Sequence, residues 1–292
     1  MTSSKQAQDA QPVSIAKQAQ DAQPVSIAKQ AQDAQPVRSD KTIKLRIKRQ
    51  DSPDAPSRME VFEIPWQPNM NVVSALMVIR EYPVLANGEP TTPVVWESVC
   101  LEEVCGACTM LINGVARQAC STLIDSLEQP ITLAPLTKFP IVRDLKVDRQ
   151  KLFDYLKRVH AWIDIDGVFD LGPGPRMSQK KRDWAYELSK CMTCGCCFEA
   201  CPNTKLADTP SHFMGPAPLS QVRLFNAHPT GAMHADVRLN ALMDDDGVSG
   251  CGNAQNCVRV CPKSIPLTTS IADMNRQTFK QALKNTFGSF GS

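Results

Sequence analysis

A chain of 292 residues with a formal net charge of +2 and 21% charged side chains has room for two ordinary domains. It offers no basic block, acidic tail or aromatic–basic interleaving, so nucleic acid is not an expected partner. Its most apolar stretch, around 72–79, is far shorter than the roughly 20 residues of a membrane helix, so any membrane association is expected to come through a partner.

Residues 1–40 form a repeat: KQAQDAQPVSIA stands at 5–16 and again at 17–28, and KQAQDAQPV follows at 29–37. The segment has no aromatic residue and its basic and acidic side chains cancel, too little apolar surface to offset the entropy of ordering. A disordered tail, arisen by tandem duplication, is expected, since the period is too short for a common solenoid unit. With no apolar core behind a basic start it does not read as a secretory signal. Asp9, Asp21 and Asp33 make it unlike an organelle presequence.

Folded structure is expected from Lys41. Alternation of polar and apolar residues at 42–48 predicts a half-buried strand, and 59–64 a second. Val72, Val73, Leu76 and Ile79 have helical spacing within 71–81. Two short strands at 109–112 and 115–117 flank Asn113-Gly114, the preferred type I′ hairpin turn. These elements predict a small ferredoxin-like domain over 41–146. From 147 to 292 the pattern is helical. Leu152, Phe153, Leu156, Val159 and Ile163 form an apolar stripe, and Gly172-Pro173-Gly174-Pro175 makes a stiff break. Helices are expected at 179–189, running directly into Cys191, and at 271–287. The remaining cysteines are then expected on short loops between helices.

The twelve cysteines fall in tight groups and not in a disulfide framework. Without export, free thiolates are available to metals. The first group, Cys100-x4-Cys105-x2-Cys108 followed by Cys120, has the plant-type [2Fe-2S] spacing. Such a loop must wrap a rhombic core with backbone N–H groups turned toward sulfur. Gly106 and Ala107 keep it free of bulk, and Cys120 is expected on the far strand of the hairpin. Zinc, which prefers paired C-x2-C units, and a redox C-x-x-C at Cys105 and Cys108 are the competing readings.

The second constellation is more specific. Cys191, Cys194, Cys197 and Cys201-Pro202 form a C-x2-C-x2-C-x3-C-P run, and Cys251-x5-Cys257-x3-Cys261-Pro262 repeats it with Ala254 in place of the second cysteine. In two-cluster ferredoxins the fourth cysteine of a run ligates the cluster of the other run. Crossing the ligands gives Cys191, Cys194, Cys197 and Cys261 to a [4Fe-4S] cluster. Cys201, Cys251 and Cys257 remain for the other, where three thiolates favour [3Fe-4S]. A four-plus-three division fits zinc poorly, because zinc takes four ligands per ion. Each proline lacks an N–H and leads the chain away from the site. The frame skips Cys196, which reads as a small buried residue.

His160, His212, His228 and His234 are dispersed, and all four cysteines of the first group are present, which argues against a Rieske centre. They read as surface or structural residues, with a proton or quinone role at His212 or His228 the less favoured alternative. Asp244-Asp245-Asp246 reads as a solvated loop. There is no dinucleotide fingerprint, nucleophile–base pair or paired-carboxylate signature, and no catalytic residue is expected. The sequence describes a conductor of electrons.

These motifs together resemble the iron–sulfur subunits of succinate dehydrogenase and fumarate reductase. The resemblance spans about 41–287 and rests on Cys100-Leu-Glu-Glu-Val-Cys105-Gly-Ala-Cys108, the two cysteine–proline runs and Gly215-Pro216-Ala217. LGPGPRM and SQVRLFNAHPTGAM are most like the Bacillus-type succinate:menaquinone enzymes. The resemblance implies an α+β chain, a plant-type β-grasp [2Fe-2S] domain followed by an all-α bacterial-ferredoxin-like domain with two cubane-type sites. It implies a flavoprotein partner oxidising succinate at FAD, and electrons passing through [2Fe-2S], [4Fe-4S] and [3Fe-4S] to a membrane cytochrome b subunit and quinone. It also implies peripheral attachment on the cytoplasmic membrane face. Two departures stand out. Asn203-Thr204-Lys205-Leu206 replaces a stretch where ubiquinone-type relatives carry tryptophans, and Gly252 replaces their histidine. Quinone-pocket residues therefore do not carry over, Pro202 excepted, and a menaquinone enzyme with a dihaem cytochrome is favoured. Fumarate reduction is the near alternative. Another flavin-linked complex, of glycolate oxidase or heterodisulfide reductase type, is opposed by Ala254. An iron–sulfur sensor or a zinc-stabilised interaction module is the alternative of a different class.

Overall fold

In the first strand, β1 (Thr42–Arg49), Ile43, Leu45 and Ile47 are buried and their neighbours face out, as alternation demands. The computed structural model describes residues 41–164, 176–205 and 213–288. The repeat at 1–40, the break at 172–175, Leu206 and His212 lie outside them. β1 pairs antiparallel with β2 (Arg58–Pro65), from Thr42 opposite Pro65 to Arg49 opposite Arg58.

α1 (Val72–Glu81) buries Val72, Val73, Ala75, Leu76 and Ile79. Asn71 caps it, its Oδ1 accepting from Ser74 N–H at 2.8 Å. Loss of that cap in Asn71→Ala is expected to cost about 1 kcal/mol, read as a lowered midpoint in thermal unfolding followed by circular dichroism. β3 (Thr109–Ile112) and β4 (Val115–Gln118) form the expected hairpin. Asn113 and Gly114 have φ of +47° and +77°, the left-handed pair that a type I′ turn requires.

β5 (Ile131–Ala134), too short to stand out in sequence, completes the sheet in the order β2-β1-β5-β3-β4. It runs parallel to β1 and antiparallel to β3. The mixed sheet with α1 packed on it is the β-grasp arrangement. Its core gathers Ile43, Leu45, Phe62, Leu76, Ile79, Met110 and Leu133.

One β1 position defies its pattern. Arg49 occupies an inward slot and is fully buried. Its Nε donates to Asp144 Oδ1 at 2.9 Å, Nη1 to Glu60 Oε2, and Nη2 to Thr92 O at 3.1 Å. Asp144 also accepts from the N–H groups of Gln50 and Val95. A buried charge persists only with such partners, and here they tie both edges of the domain to β1.

A two-stranded ribbon, β6 (Ile141–Arg143) and β7 (Lys146–Val147), leads into α2 (Gln150–Arg158). The expected stripe holds only in part: Leu152 and Val159 are buried, but Phe153 is exposed and Tyr155 is buried instead. The helix ends at Arg158, so Ile163 lies beyond it. α3 (Gln179–Ser189), α4 (Cys196–Glu199), α5 (Pro216–Ala227), α6 (Ala235–Ala241), α7 (Asn256–Arg259) and α8 (Leu267–Gly288) follow. α8 starts four residues before the apolar pattern at 271 suggests. Two short helices also lie inside the cysteine runs, correcting the expectation of loops alone. Pro216 opens α5 at a first-turn position, where a missing N–H costs nothing.

The second core crosses residue 147. Leu136 and Phe139 pack with Leu152, Val159, Phe198, Phe213, Leu219 and Val222. Phe139 meets Phe198 of α4 with centroids 5.2 Å apart. The chain following the sheet is thereby fixed against the first cysteine–proline run. Among the described residues no helix is long and apolar enough to cross a membrane.

Candidate iron–sulfur sites

The loop from Cys100 to Cys108 turns its backbone N–H groups onto sulfur. Leu101, Glu103 and Gly106 have φ of +60°, +55° and +71°, and such reversals build the concave nest of N–H groups that suits an anion. The N–H groups of Glu102, Val104 and Cys105 all donate to Cys100 Sγ at 3.3–3.4 Å. Ala107 N–H donates to Cys105 Sγ at 3.4 Å. The hydrogen bonds from Glu102, Val104 and Cys105 pull Cys100 down to a pKa of about 6. Burial pushes Cys108 the other way, to about 12. Cys120 lies two residues past the end of β4, in a turn and not on the strand as expected. The sheet still fixes it, because Ala119 N–H donates to Cys108 O at 3.2 Å.

The two cysteine–proline runs share one backbone design. In the first, Thr193 and Gly195 are left-handed, at +52° and +88°, on either side of Cys194. In the second, Asn253 and Gln255 are left-handed, at +54° and +60°, on either side of Ala254. Each loop then enters a four-residue helix, α4 or α7. Ala254 therefore holds the backbone position of Cys194 in a loop of the same form. Non-glycine residues with positive φ are uncommon and gather where a site demands them.

Two cavities lie between these loops. Cys191, Cys194, Cys197 and Cys261 border one, together with Cys196. Cys201, Cys251, Cys257 and Ala254 border the other. Cys261 of the second run joins the first cavity and Cys201 of the first run joins the second, and among the described residues no carboxylate or imidazole lines either one. Among the described residues no three His, Cys, Asp or Glu side chains group as ligands of a single ion would. Burial raises the pKa of Cys191, Cys197 and Cys257, so a cationic core must offset the cost of ionising them. Soft, all-sulfur donor sets suit iron–sulfur clusters.

Cys196 is fully buried. Its hydrogen bond to Cys194 is the first cause of a raised pKa, with burial next, and it draws Cys194 down to about 7. The skipped cysteine is thus held as a neutral thiol that donates to its neighbour.

Side chains remote in sequence complete the sites. A Cβ on Gly106 would lie 2.8 Å from both Cα and Cβ of Cys194 and 2.9 Å from Met192 O, so this glycine lets the first loop touch the second. Arg149 Nη1 donates to Gly106 O at 2.7 Å and holds that contact. Lys138 Nζ donates to Cys201 O and to Thr204 Oγ1, with burial lowering its pKa. Asn256 Nδ2 reaches Ala200 O at 3.0 Å, and Asn203 Nδ2 reaches Gly250 O at 2.8 Å. Asn203 also fills the space into which a side chain at 252 would project, its Nδ2 only 2.6 Å from an ideal Cβ on Gly252. Lys138, Arg149 and Asn256 carry no sequence signal, because each acts through a contact made only on folding. Of the histidines, His160 follows Val159, the C-cap of α2, with its ring 4.9 Å from that of Trp162, and His234 faces Asp164 at 3.0 Å.

Two family models match the chain. Residues 44–154 match the family model of a 2Fe-2S iron–sulfur cluster binding domain, and 187–265 that of a 4Fe-4S dicluster domain. The succinate dehydrogenase iron–sulfur subunit of Bacillus subtilis is 65% identical over 249 residues, covering 85% of this chain and 97% of the relative. The chain belongs to the succinate dehydrogenase iron–sulfur subunit family. Fumarate reductase subunits are more distant members: that of Wolinella succinogenes is 32% identical over 242 residues, 81% of this chain and 97% of its own length. A chain of the Mycobacterium smegmatis Sdh1 complex in the apo form superposes with a TM-score of 0.69 at 23% identity, covering 82% of this chain and 96% of its own, which shows the shared α+β fold. A succinate dehydrogenase iron–sulfur subunit carries electrons within an enzyme complex, and its 2Fe-2S and 4Fe-4S domains both match here.

Proposed function

We propose that this subunit conducts electrons from a flavoprotein, which oxidises succinate at FAD, to a membrane cytochrome b subunit and menaquinone. Three centres lie in series: [2Fe-2S] on Cys100, Cys105, Cys108 and Cys120; [4Fe-4S] on Cys191, Cys194, Cys197 and Cys261; and [3Fe-4S] on Cys201, Cys251 and Cys257. The observation that carries this reading is the crossed lining of the two cavities: Cys191, Cys194, Cys197 and Cys261, with the skipped Cys196, in one, and Cys201, Cys251 and Cys257 with Ala254 in the other. When bound, the clusters accept and release single electrons. The chain's own work is to hold, space and insulate them. Left-handed loops aim N–H groups at Cys100 and Cys105, and the Gly106–Cys194 approach brings the first two sites together. The domains on this reading are 41–146 and 147–292.

The ends of the series are marked by exposure. Val99, Leu101 and Val104 around the first loop are 72%, 52% and 61% exposed, an apolar rim suited to the flavoprotein. At the other end, 252–255 are exposed. A groove of about 290 Å³ runs from Cys251 and Cys257 to Thr268, Ile271 and Asn275, a face suited to the membrane subunit. Gly252 stands where ubiquinone-type relatives carry histidine and the stretch 203–206 where they carry tryptophans, which favours menaquinone reached within a dihaem cytochrome on the cytoplasmic face. The purified complex is expected to reduce a low-potential menaquinone analogue with succinate. Fumarate reduction from the reduced analogue without the forward reaction would reverse the assigned direction, and turnover with neither substrate would contradict the reading.

A further inference from the structure

Gln118 ends β4 opposite Thr109 and is 2% exposed. Its amide lies between Cys108 Sγ of the first site and Cys196 Sγ, which borders the second. Cys108 Sγ donates to its Oε1 at 3.5 Å, while its Nε2 donates to Thr109 Oγ1 at 2.7 Å and to Cys196 Sγ at 3.5 Å. That orientation suits a Cys108 thiol. An iron-bound thiolate has no proton to give, and the same orientation would set a carbonyl lone pair against a negative sulfur in a dry interior, where a mismatched polar contact is costly.

Turning the amide over exchanges oxygen and nitrogen in nearly equivalent positions. Nε2–H then donates to Cys108 Sγ, and Oε1 accepts from the Thr109 hydroxyl. That hydroxyl is free to turn, because its present acceptor, Gly106 O, is also bonded by Arg149 Nη1. At 3.5 Å the contact to Cys196 Sγ is the longer of the two that Nε2 gives up.

We infer that Gln118 tunes the first centre: its amide donates a hydrogen bond to the Cys108 thiolate and raises the reduction potential of the [2Fe-2S] site. The inference rests on Cys108 being a ligand of that site. A hydrogen bond to a charged acceptor is stronger than a neutral one, and it strengthens further when an added electron makes the sulfur more negative. Hydrogen bonds to the sulfurs are among the factors that set such potentials.

The test is potentiometric EPR on the whole complex carrying Gln118→Leu. The [2Fe-2S] midpoint is expected to shift downward while that of the [3Fe-4S] site stays at the wild-type value. An unchanged or raised [2Fe-2S] midpoint overturns the inference, because an amide oxygen facing the sulfur would give the upward shift. Where the leucine variant fails to assemble, the wild-type complex grown with side-chain 15N-glutamine supplies the answer. Its reduced [2Fe-2S] signal is expected to carry a nitrogen coupling from the label, and absence of the coupling overturns the inference. A complex with no [2Fe-2S] signal at all would bring down the ligand assignment itself.

Discussion

Gly106→Ala is expected to slow electron transfer between the first and second centres while leaving the first centre reducible by succinate. The new methyl would sit 2.8 Å from Cα and Cβ of Cys194 and 2.9 Å from Met192 O. Neither the backbone atoms nor a ligand-bearing Cβ can yield as the end of a flexible side chain does. The position is also left-handed, at +71°, which an L-residue resists by about 1–2 kcal/mol, and overpacking adds about 1–3 kcal/mol. The loop must therefore retreat from Cys194, stretching the bond from Arg149 to Gly106 O. Because tunnelling falls steeply with distance, rapid-freeze EPR after succinate addition should show normal reduction of [2Fe-2S] and delayed reduction of [3Fe-4S], with quinone reduction down several-fold. Wild-type kinetics together with a wild-type melting temperature would show that this contact does not set the spacing.

Ala254→Cys is expected to abolish the EPR signal of the oxidised [3Fe-4S] centre. Ala254 borders the cavity of Cys201, Cys251 and Cys257. The left-handed pair Asn253 and Gln255 presents it as Thr193 and Gly195 present Cys194. A thiol there supplies a fourth ligand at a backbone position already shaped for one, so little refolding opposes it. The iron content should rise from about nine to about ten per chain as [3Fe-4S] becomes [4Fe-4S]. An unchanged signal in a correctly assembled complex would contradict the crossed ligation.

The sequence reveals most where local rules act alone. β1, β2, α1 and the Asn113-Gly114 hairpin follow from alternation, helical spacing and turn chemistry, and the cysteine gaps announce three groups of thiols. It reveals less where tertiary contact overrules local pattern. β5 is four residues long and recognisable only by its pairing with β1 and β3. Phe153 falls on the apolar stripe yet faces out, because Tyr155 takes the place against Phe198. The short helices of the two runs are shorter than any periodicity can register. Lys138 and Arg149 lie far in sequence from the cysteines they serve, and Gln118, though two residues from Cys120, is marked by nothing but its contacts. Ala254 is the opposite case: one irregular spacing indicates which cavity lacks a thiol.

Metal and labile-sulfide analysis combined with low-temperature EPR of the oxidised complex bears most directly on three unlike centres held in series. About nine irons per chain, no bound zinc and a [3Fe-4S] signal present before any reductant is added are the expected results. Stoichiometric zinc without labile sulfide, or about ten irons with no signal in the oxidised state, would contradict it.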